Sequence, residues 1–598
     1  MTRNDMAPMP TESIRVTYNR LSLFWSMLFL VNLAAMPLKA YISETFPWNV
    51  PPTSPDFSFT AFDETTVVML QSLASVHSPF ARDAVAYSLQ YTLELPNDGV
   101  IDHDECIGHM LAFPGAALFG PGIRQFACAY LAHNASIRAA LVTSSQVQAT
   151  DTSPLAVTDS TATFRCQVGL MLGVPTMKLC LWLVPTNSST NATSQYVVGF
   201  GGTTYEPPAL AYLKLTCRVC LCGFILYLVR AAYYIHFATL DANLKASRGR
   251  LLGDVGDATV YALLDIHVGD PTYLVLSHPY VTVCFVFEML MDATYHGLSS
   301  LRCTQVLDLW QFALGSFYGS RSVWFGYWTI RYATILVKRF HAEGSFATVD
   351  PGLLALATLL YAGPLFYVIC NLKPIVKLLH WLFSTNPNDT AIEVFPVWVS
   401  LLLTLGGVPL LYSMGVKSIS RRHRVTGIAT TFQTPSNRST ILVAPTAYDS
   451  GRYSHNSFND FKMHVIQRIF ERPSIIPTPP TQKNTFEGGS LYRLYDQHPG
   501  YQKLPLISHR SADCFVDCYL PHHVFVKKLR LSLLHCLDSQ TNDPKWTLPL
   551  CDTCGPRGTA PSGPVCTISS TTHIDTKNRM VLSNAKIHMG ANGCCWVL

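Results

Sequence analysis

Apolar residues in this chain come in long unbroken runs, not in the narrow stripes of a water-soluble fold. The clearest are Leu21–Leu38 (LSLFWSMLFLVNLAAMPL), Ala209–Val229, Thr272–Met291, Val323–Val337, Leu353–Cys370 and Val394–Met414. About 20 apolar residues wound as a helix cover the roughly 30 Å of bilayer hydrocarbon. The pattern predicts a polytopic α-helical membrane protein of about six transmembrane helices, at 21–40, 209–230, 272–291, 323–337, 353–371 and 394–415. A further apolar segment, 303–318, is short and contains Asp308, and reads as interfacial or re-entrant. The first run follows Arg15 and Arg20, is longer than a signal-peptide core, and lacks a small-x-small cleavage site after it. It reads as a signal anchor behind a cytosolic N-terminus, 1–20.

Residues 41–208 carry no credible span. Alternating stretches at Thr161–Val168 and Gln195–Tyr205 suggest strands, so an α+β ectodomain is expected between the first two helices. It holds Cys106, Cys128, Cys166 and Cys180, enough for two disulfides in any of three pairings, or for four buried thiols. It also holds the sequons Asn134-Ala-Ser, Asn187-Ser-Ser and Asn191-Ala-Thr, and Asn388-Asp-Thr lies between the last two spans.

Charge orients the chain. Residues 41–208 hold 13 acidic and 5 basic side chains, whereas Lys417 onward holds 21 basic and 11 acidic. Basic clusters follow the even-numbered spans: Arg230 and the loop Lys245, Arg248, Arg250; then Lys338 and Arg339; then Lys417, Arg421, Arg422 and Arg424. Basic loops resist translocation, which places both termini in the cytosol and residues 41–208 with Asn388 outside or in a lumen. Asn437-Arg-Ser falls in the cytosolic tail and is expected to be silent. The setting is the plasma membrane or an endomembrane of a eukaryotic cell.

The tail, 416–598, reads as partly disordered. Helical spacing of apolar residues is seen at Phe458–Phe470 and Val524–Leu537, on either side of the Pro-rich PSIIPTPP at 473–480. Lys527, Lys528 and Arg530 would let the second helix lie on anionic lipid or form the solvated edge of a docked helix. The bilayer, anionic lipid and protein partners are therefore the expected contacts, and nucleic acid is not.

Candidate chemistry is sparse. Nucleotide-binding glycine loops, a G-x-S-x-G elbow, an H-E-x-x-H helix and kinase signatures are absent from the sequence, so no catalytic residue and no cofactor is expected. Cys551-Asp-Thr-Cys554 with Cys566 could hold zinc, but the fourth ligand is loosely placed, and unligated thiols are the favoured reading. Charges inside apolar runs demand a reason: Arg218, Glu288 and Arg331 lie in spans and Asp308 in the short segment. Interhelical pairing is favoured over an ion or proton path. The last residues, Cys594-Cys595-Trp596-Val597-Leu598, fit a C-a-a-X prenylation motif at Cys595, with Cys594 as a second lipidation candidate.

The order of one span, a large outer domain and five spans resembles that of some cation channels of the polycystin and mucolipin type. The resemblance is one of topology alone. It would make KPIVKLLHWLF at 373–383 a short pore helix with Asp389 and Glu393 beyond it, but no selectivity-filter sequence follows, and Lys373 and Lys377 oppose a cation path. The preferred expectation is a receptor-like or scaffolding membrane protein, with a channel or transporter as the alternative.

Overall fold

The computed structural model describes residues 14–50, 86–96, 103–132, 163–185, 193–204, 206–247, 261–306, 308–340, 345–383, 390–425, 485–489, 506–508, 510–521, 524–534, 550–551, 563–574 and 580–598, with a few isolated positions. The sequons at Asn134, Asn187, Asn191, Asn388 and Asn437, the expected helix Phe458–Phe470 and Cys554 lie outside them.

Two sheets are joined by helices. The five-stranded sheet contains β2 (Ala86–Pro96), β3 (Thr163–Met171), β4 (Val174–Pro185), β5 (Thr193–Thr204) and β7 (Ala391–Glu393), in the order β2-β5-β4-β3-β7. The six-stranded sheet contains β1 (Arg15–Tyr18), β6 (Leu263–His267), β8 (Thr485–Gly488), β9 (Cys514–Leu520), β10 (Val524–Leu533) and β14 (Trp596–Val597). A smaller sheet is formed by β11 (Leu550–Cys551), β12 (Thr567–Ile574) and β13 (Met580–His588). The chain thus visits the six-stranded sheet at β1, the five-stranded sheet at β2 to β5, the first again at β6, the second at β7, and the first once more at β8 to β10 and at β14, with β11 to β13 set apart in the smaller sheet.

Each passage between sheets runs through helix. α1 (Arg20–Ala34) makes the first. The second is α4 (Pro208–Val229), continued through one π-helical turn at Arg230–Tyr234 into α5 (Ile235–Ala246). Between β6 and β7 come α6 (Thr272–Leu276), α7 (Pro279–Met291), α8 (Ala293–Cys303), α9 (Leu309–Gly319), α10 (Val323–Arg339), α11 (Pro351–Asn371) and α12 (Lys373–Phe383). α13 (Phe395–Val425) makes the return.

α11 shows that the sheets lie at opposite ends of the helices. Just before it, Val349 N–H donates to Leu506 O at 2.6 Å, beside the six-stranded sheet. Just after it, in α12, His380 Nε2 lies 2.6 Å from Ala116 O, in the unit of the five-stranded sheet. The 21 residues between make a rod of about 31 Å. α13 repeats this in reverse, starting where Val394 N–H reaches Leu170 O of β3 and passing Ser413, whose hydroxyl donates to Ala347 O at 2.5 Å.

Among the described residues three helices are long and apolar enough to cross a bilayer on their own, Pro208–Ala246, Pro351–Asn371 and Phe395–Ser418. Arg20–Ala34 with Pro37–Asn49 makes a fourth only as a pair bent by 68°. Thr272–Met291 is broken at Ser277-His278, where Pro279 opens α7; the five residues of α6 mostly belong to the buried core. The segment 303–318 begins at the last residue of α8 and forms most of α9; these two helices, each of 11 residues and about 16 Å, pack as a hairpin. Glycine lets some helices close in: a Cβ on Gly363 would meet Ser316 Oγ at 1.9 Å, and one on Gly406 would meet Thr329 Oγ1 at 2.3 Å.

The unit of the five-stranded sheet packs α2 (His103–Met110) and α3 (Pro121–Ala132) on its apolar face, around Phe119, Leu181, Val198 and Phe200. Cys166 and Cys180, opposite one another on β3 and β4, form a disulfide. Cys106 of α2 and Cys128 of α3 are free thiols in hydrogen-bond contact with each other. The β3–β4 turn is two residues long, with Leu172 and Gly173 both at positive φ (52° and 80°) as a tight hairpin of this hand requires. Glu393 of β7 accepts from both their backbone amides, at 2.9 and 3.1 Å, so its carboxylate is committed to that turn.

The tail departs from expectation. Val524–Leu533 is the strand β10, not a helix, because it lies between β9 on one side and β8 with β14 on the other, and sheet pairing overrides its helical spacing. A polar row crosses four strands in register, Thr17, Asp265, Asp517 and Lys528. Thr17 donates to Asp265 at 2.9 Å, and Lys528 Nζ lies 3.5 Å from Asp517. The C-terminal residues are also held in the fold. Trp596 is fully buried against Phe237 and Tyr233, and its indole donates to His236 O at 3.0 Å.

A buried ionic cluster as the candidate functional site

Along α4 the buried residues are Ala211, Lys214, Arg218, Leu221, Ile225 and Val229, a single stripe at helical spacing. The stripe carries two cations one turn apart into the protein. α7 ends with a complementary pair, Glu288 and Asp292, also one turn apart. Arg321 comes from the short turn Ser320–Ser322 that opens α10, and Glu44 from the segment after α1.

These groups meet. Arg218 binds Glu288 at 2.7 Å, Asp292 at 2.8 Å and Glu44 at 2.8 Å. Arg321 binds the same three carboxylates, at 2.8, 3.0 and 3.3 Å. Lys214 binds Asp292 at 2.7 Å, Glu44 at 3.2 Å and Glu206 at 3.1 Å. Aromatic rings close the cluster: Tyr41 lies against the Arg218 guanidinium, Tyr295 against Lys214 and Tyr318 against Arg321. The Tyr318 hydroxyl donates to Glu44 at 2.6 Å. Apart from Glu206, whose side chain is 10% exposed, no side chain of the seven charged groups is more than 5% exposed.

Burial alone would raise the carboxyls of Glu44 and Asp292, but three neighbouring cations outweigh it and hold both below their ordinary range. Glu206 has only Lys214 for company, so burial prevails and raises its carboxyl. His296, whose ring lies 4.9 Å from that of Tyr318, is pulled down to about 4, first by burial and then by Arg321. Three cations against four carboxylates leave the cluster near balance, and every charge has a partner of opposite sign. Such an arrangement fixes how helices pack; conducting an ion would require pulling these pairs apart.

Of the charges singled out from sequence, Arg218 and Glu288 are joined here. Asp308 is not part of the cluster: it caps α9, accepting from Gln311 N–H at 3.2 Å. Arg331 is half-buried on α10, ten residues and roughly 15 Å along the chain axis from Arg321. Glu44, Glu206, Lys214, Asp292 and Arg321 were not anticipated. The like-charged pairs Lys214/Arg218 and Glu288/Asp292, four residues apart, were the available signal. Among the zinc candidates, Cys551 lies in β11, and the Cys566 thiol donates to Cys594 O at 2.8 Å. Among the described residues no group of three His, Cys, Asp or Glu side chains could hold a metal ion. At the terminus Cys594 is buried and Cys595 partly exposed.

No family model matches the chain, and neither a curated protein nor a solved structure matches it.

Proposed function

We propose that this chain is an integral membrane protein that acts as a receptor-like or scaffolding component, coupling a disulfide-bearing outer domain to a cytosolic sheet. The observation that carries the reading is the membership of the two sheets. Segments that the positive-inside rule assigns to the cytosol, 15–18, 263–267 and the tail strands 485–488, 514–520, 524–533 and 596–597, share one sheet. Segments it assigns to the far side, 86–204 and 391–393, share the other. If α7 and α10, which do not qualify as spans by length and composition alone, cross with α11 between β6 and β7, the alternation corresponds to six spans, with the α8–α9 hairpin re-entrant. Each domain is stitched from pieces that flank several spans, and the ionic cluster clamps α4, α7 and the start of α10 together. A displacement of the outer domain would therefore reach the inner sheet as a movement of packed helices.

The test is hydrogen exchange on the full chain in lipid nanodiscs, with and without an antibody fragment raised against the β3–β4 hairpin. Altered protection in β6 and β9 supports coupling; unchanged protection there refutes it. The alternative, a channel or transporter, is favoured only by the charges within the helices. Ion flux through proteoliposomes would establish it in place of this reading.

A further inference from the structure

We infer that α12 is an interfacial helix whose outer face sits in the phospholipid headgroup layer, with Lys373 and Lys377 on headgroup phosphates. The inference rests on the membrane-spanning reading above and adds a lipid site to it.

α12 is apolar on two opposite sides. Val376, Leu379, His380 and Phe383 are buried on one side, against the core that contains Ile392 and Val394. Leu378 and Trp381 emerge on the other and are 53% and 63% exposed. A helix apolar on both sides needs an apolar neighbour on both sides, and among the described residues protein supplies only one. Three observations say what supplies the other. A single residue, Leu372, separates α12 from the end of α11, so the helix starts at the mouth of that span. α11 itself carries exposed apolar side chains, among them Leu360, Tyr367 and Val368. Lys373 and Lys377, one turn apart and exposed, form the edge between the buried and outward sides. An indole beside lysines at the end of a span matches the chemistry of the interfacial layer, where amphipathic rings sit among headgroups and ammonium groups meet phosphate. The resemblance to a pore helix is not supported by this placement, which turns Trp381 outward.

A photoreactive side chain tests it. The full chain carrying Trp381→p-benzoylphenylalanine is reconstituted in phosphatidylcholine vesicles and irradiated, and adducts are identified by mass. Leu360→p-benzoylphenylalanine, on the middle of α11, reports the hydrocarbon. The expected result is a phospholipid adduct at both positions, with the yield at 381 falling several-fold when Lys373→Gln and Lys377→Gln are added and the yield at 360 unchanged. An adduct at 360 with none at 381, or a protein adduct at 381, overturns the lipid site while leaving the span intact. Equal yield at 381 with and without the lysines overturns the phosphate contacts. No lipid adduct at 360 overturns the spanning reading and this inference with it.

Discussion

Replacing Arg218 with leucine removes one of three cations that each hold three carboxylates. Arg218→Leu leaves Glu44, Glu288 and Asp292 with Arg321 and Lys214, and Glu288 keeps Arg321 as its only cation. Two positive charges then face four negative ones in a site closed to solvent. Removing one partner of a buried pair costs about 3–5 kcal/mol, since the remaining charge is uncompensated. The loss should be read as lower resistance to SDS or thermal unfolding of the detergent-purified chain. A second change should separate structural pairing from general damage. Glu288→Gln in the Arg218→Leu background restores the original charge balance and removes, of Arg218's three carboxylates, the one with fewest remaining partners, so it should recover at least about 1 kcal/mol in a double-mutant cycle. Asp308→Asn should recover nothing, because Asp308 caps α9. Unchanged unfolding in Arg218→Leu, or equal recovery from Asp308→Asn, would refute the assignment of the cluster as a clamp.

Further outcomes follow from other parts of the structure. Trp596→Ala should destabilise the inner sheet by about 3–5 kcal/mol, seen as faster proteolysis of the tail, because the indole is fully buried. Prenylation at Cys595 with trimming would remove the same indole, so intact mass of the C-terminal peptide decides between a lipidated end and an unmodified one that keeps Trp596 in the sheet. Non-reducing peptide mapping should find Cys166 joined to Cys180, and Cys106 joined to Cys128 if the outer domain matures in an oxidising compartment; any cross-pairing contradicts the fold. His296 is held neutral in the folded chain down to about 4, against 6.5 when free, so the unfolded chain binds the extra proton between those values. Stability should then fall as pH drops from about 6.5 to 4, by about 3 kcal/mol in all, and His296→Gln should flatten that slope.

The long helices were the legible part of this chain, since a run such as Leu353–Cys370 is apolar throughout and falls within one helix, Pro351–Asn371. The six-stranded sheet was not. β10 pairs with β9, and β9 with β6, some 250 residues away in sequence, so no local pattern in VFVKKLRLSL announces the partner that makes it a strand. The ionic cluster was legible in halves. Arg218 and Glu288 lie within apolar runs, where a charge is conspicuous. Glu44 and Arg321 lie at helix ends, where charges are ordinary, and only the packing of α1, α4, α7 and α10 brings them to the same place. β7 shows the same limit: Ala391–Glu393 is three residues long and becomes a strand because β3 offers an open edge.

The most direct test is site-by-site glycan occupancy on the full chain purified from a eukaryotic membrane. Glycan on one or more of Asn134, Asn187, Asn191 and Asn388, with Asn437 bare, is the result this account predicts. Glycan on Asn437 would put the basic tail outside and contradict the two-sided architecture.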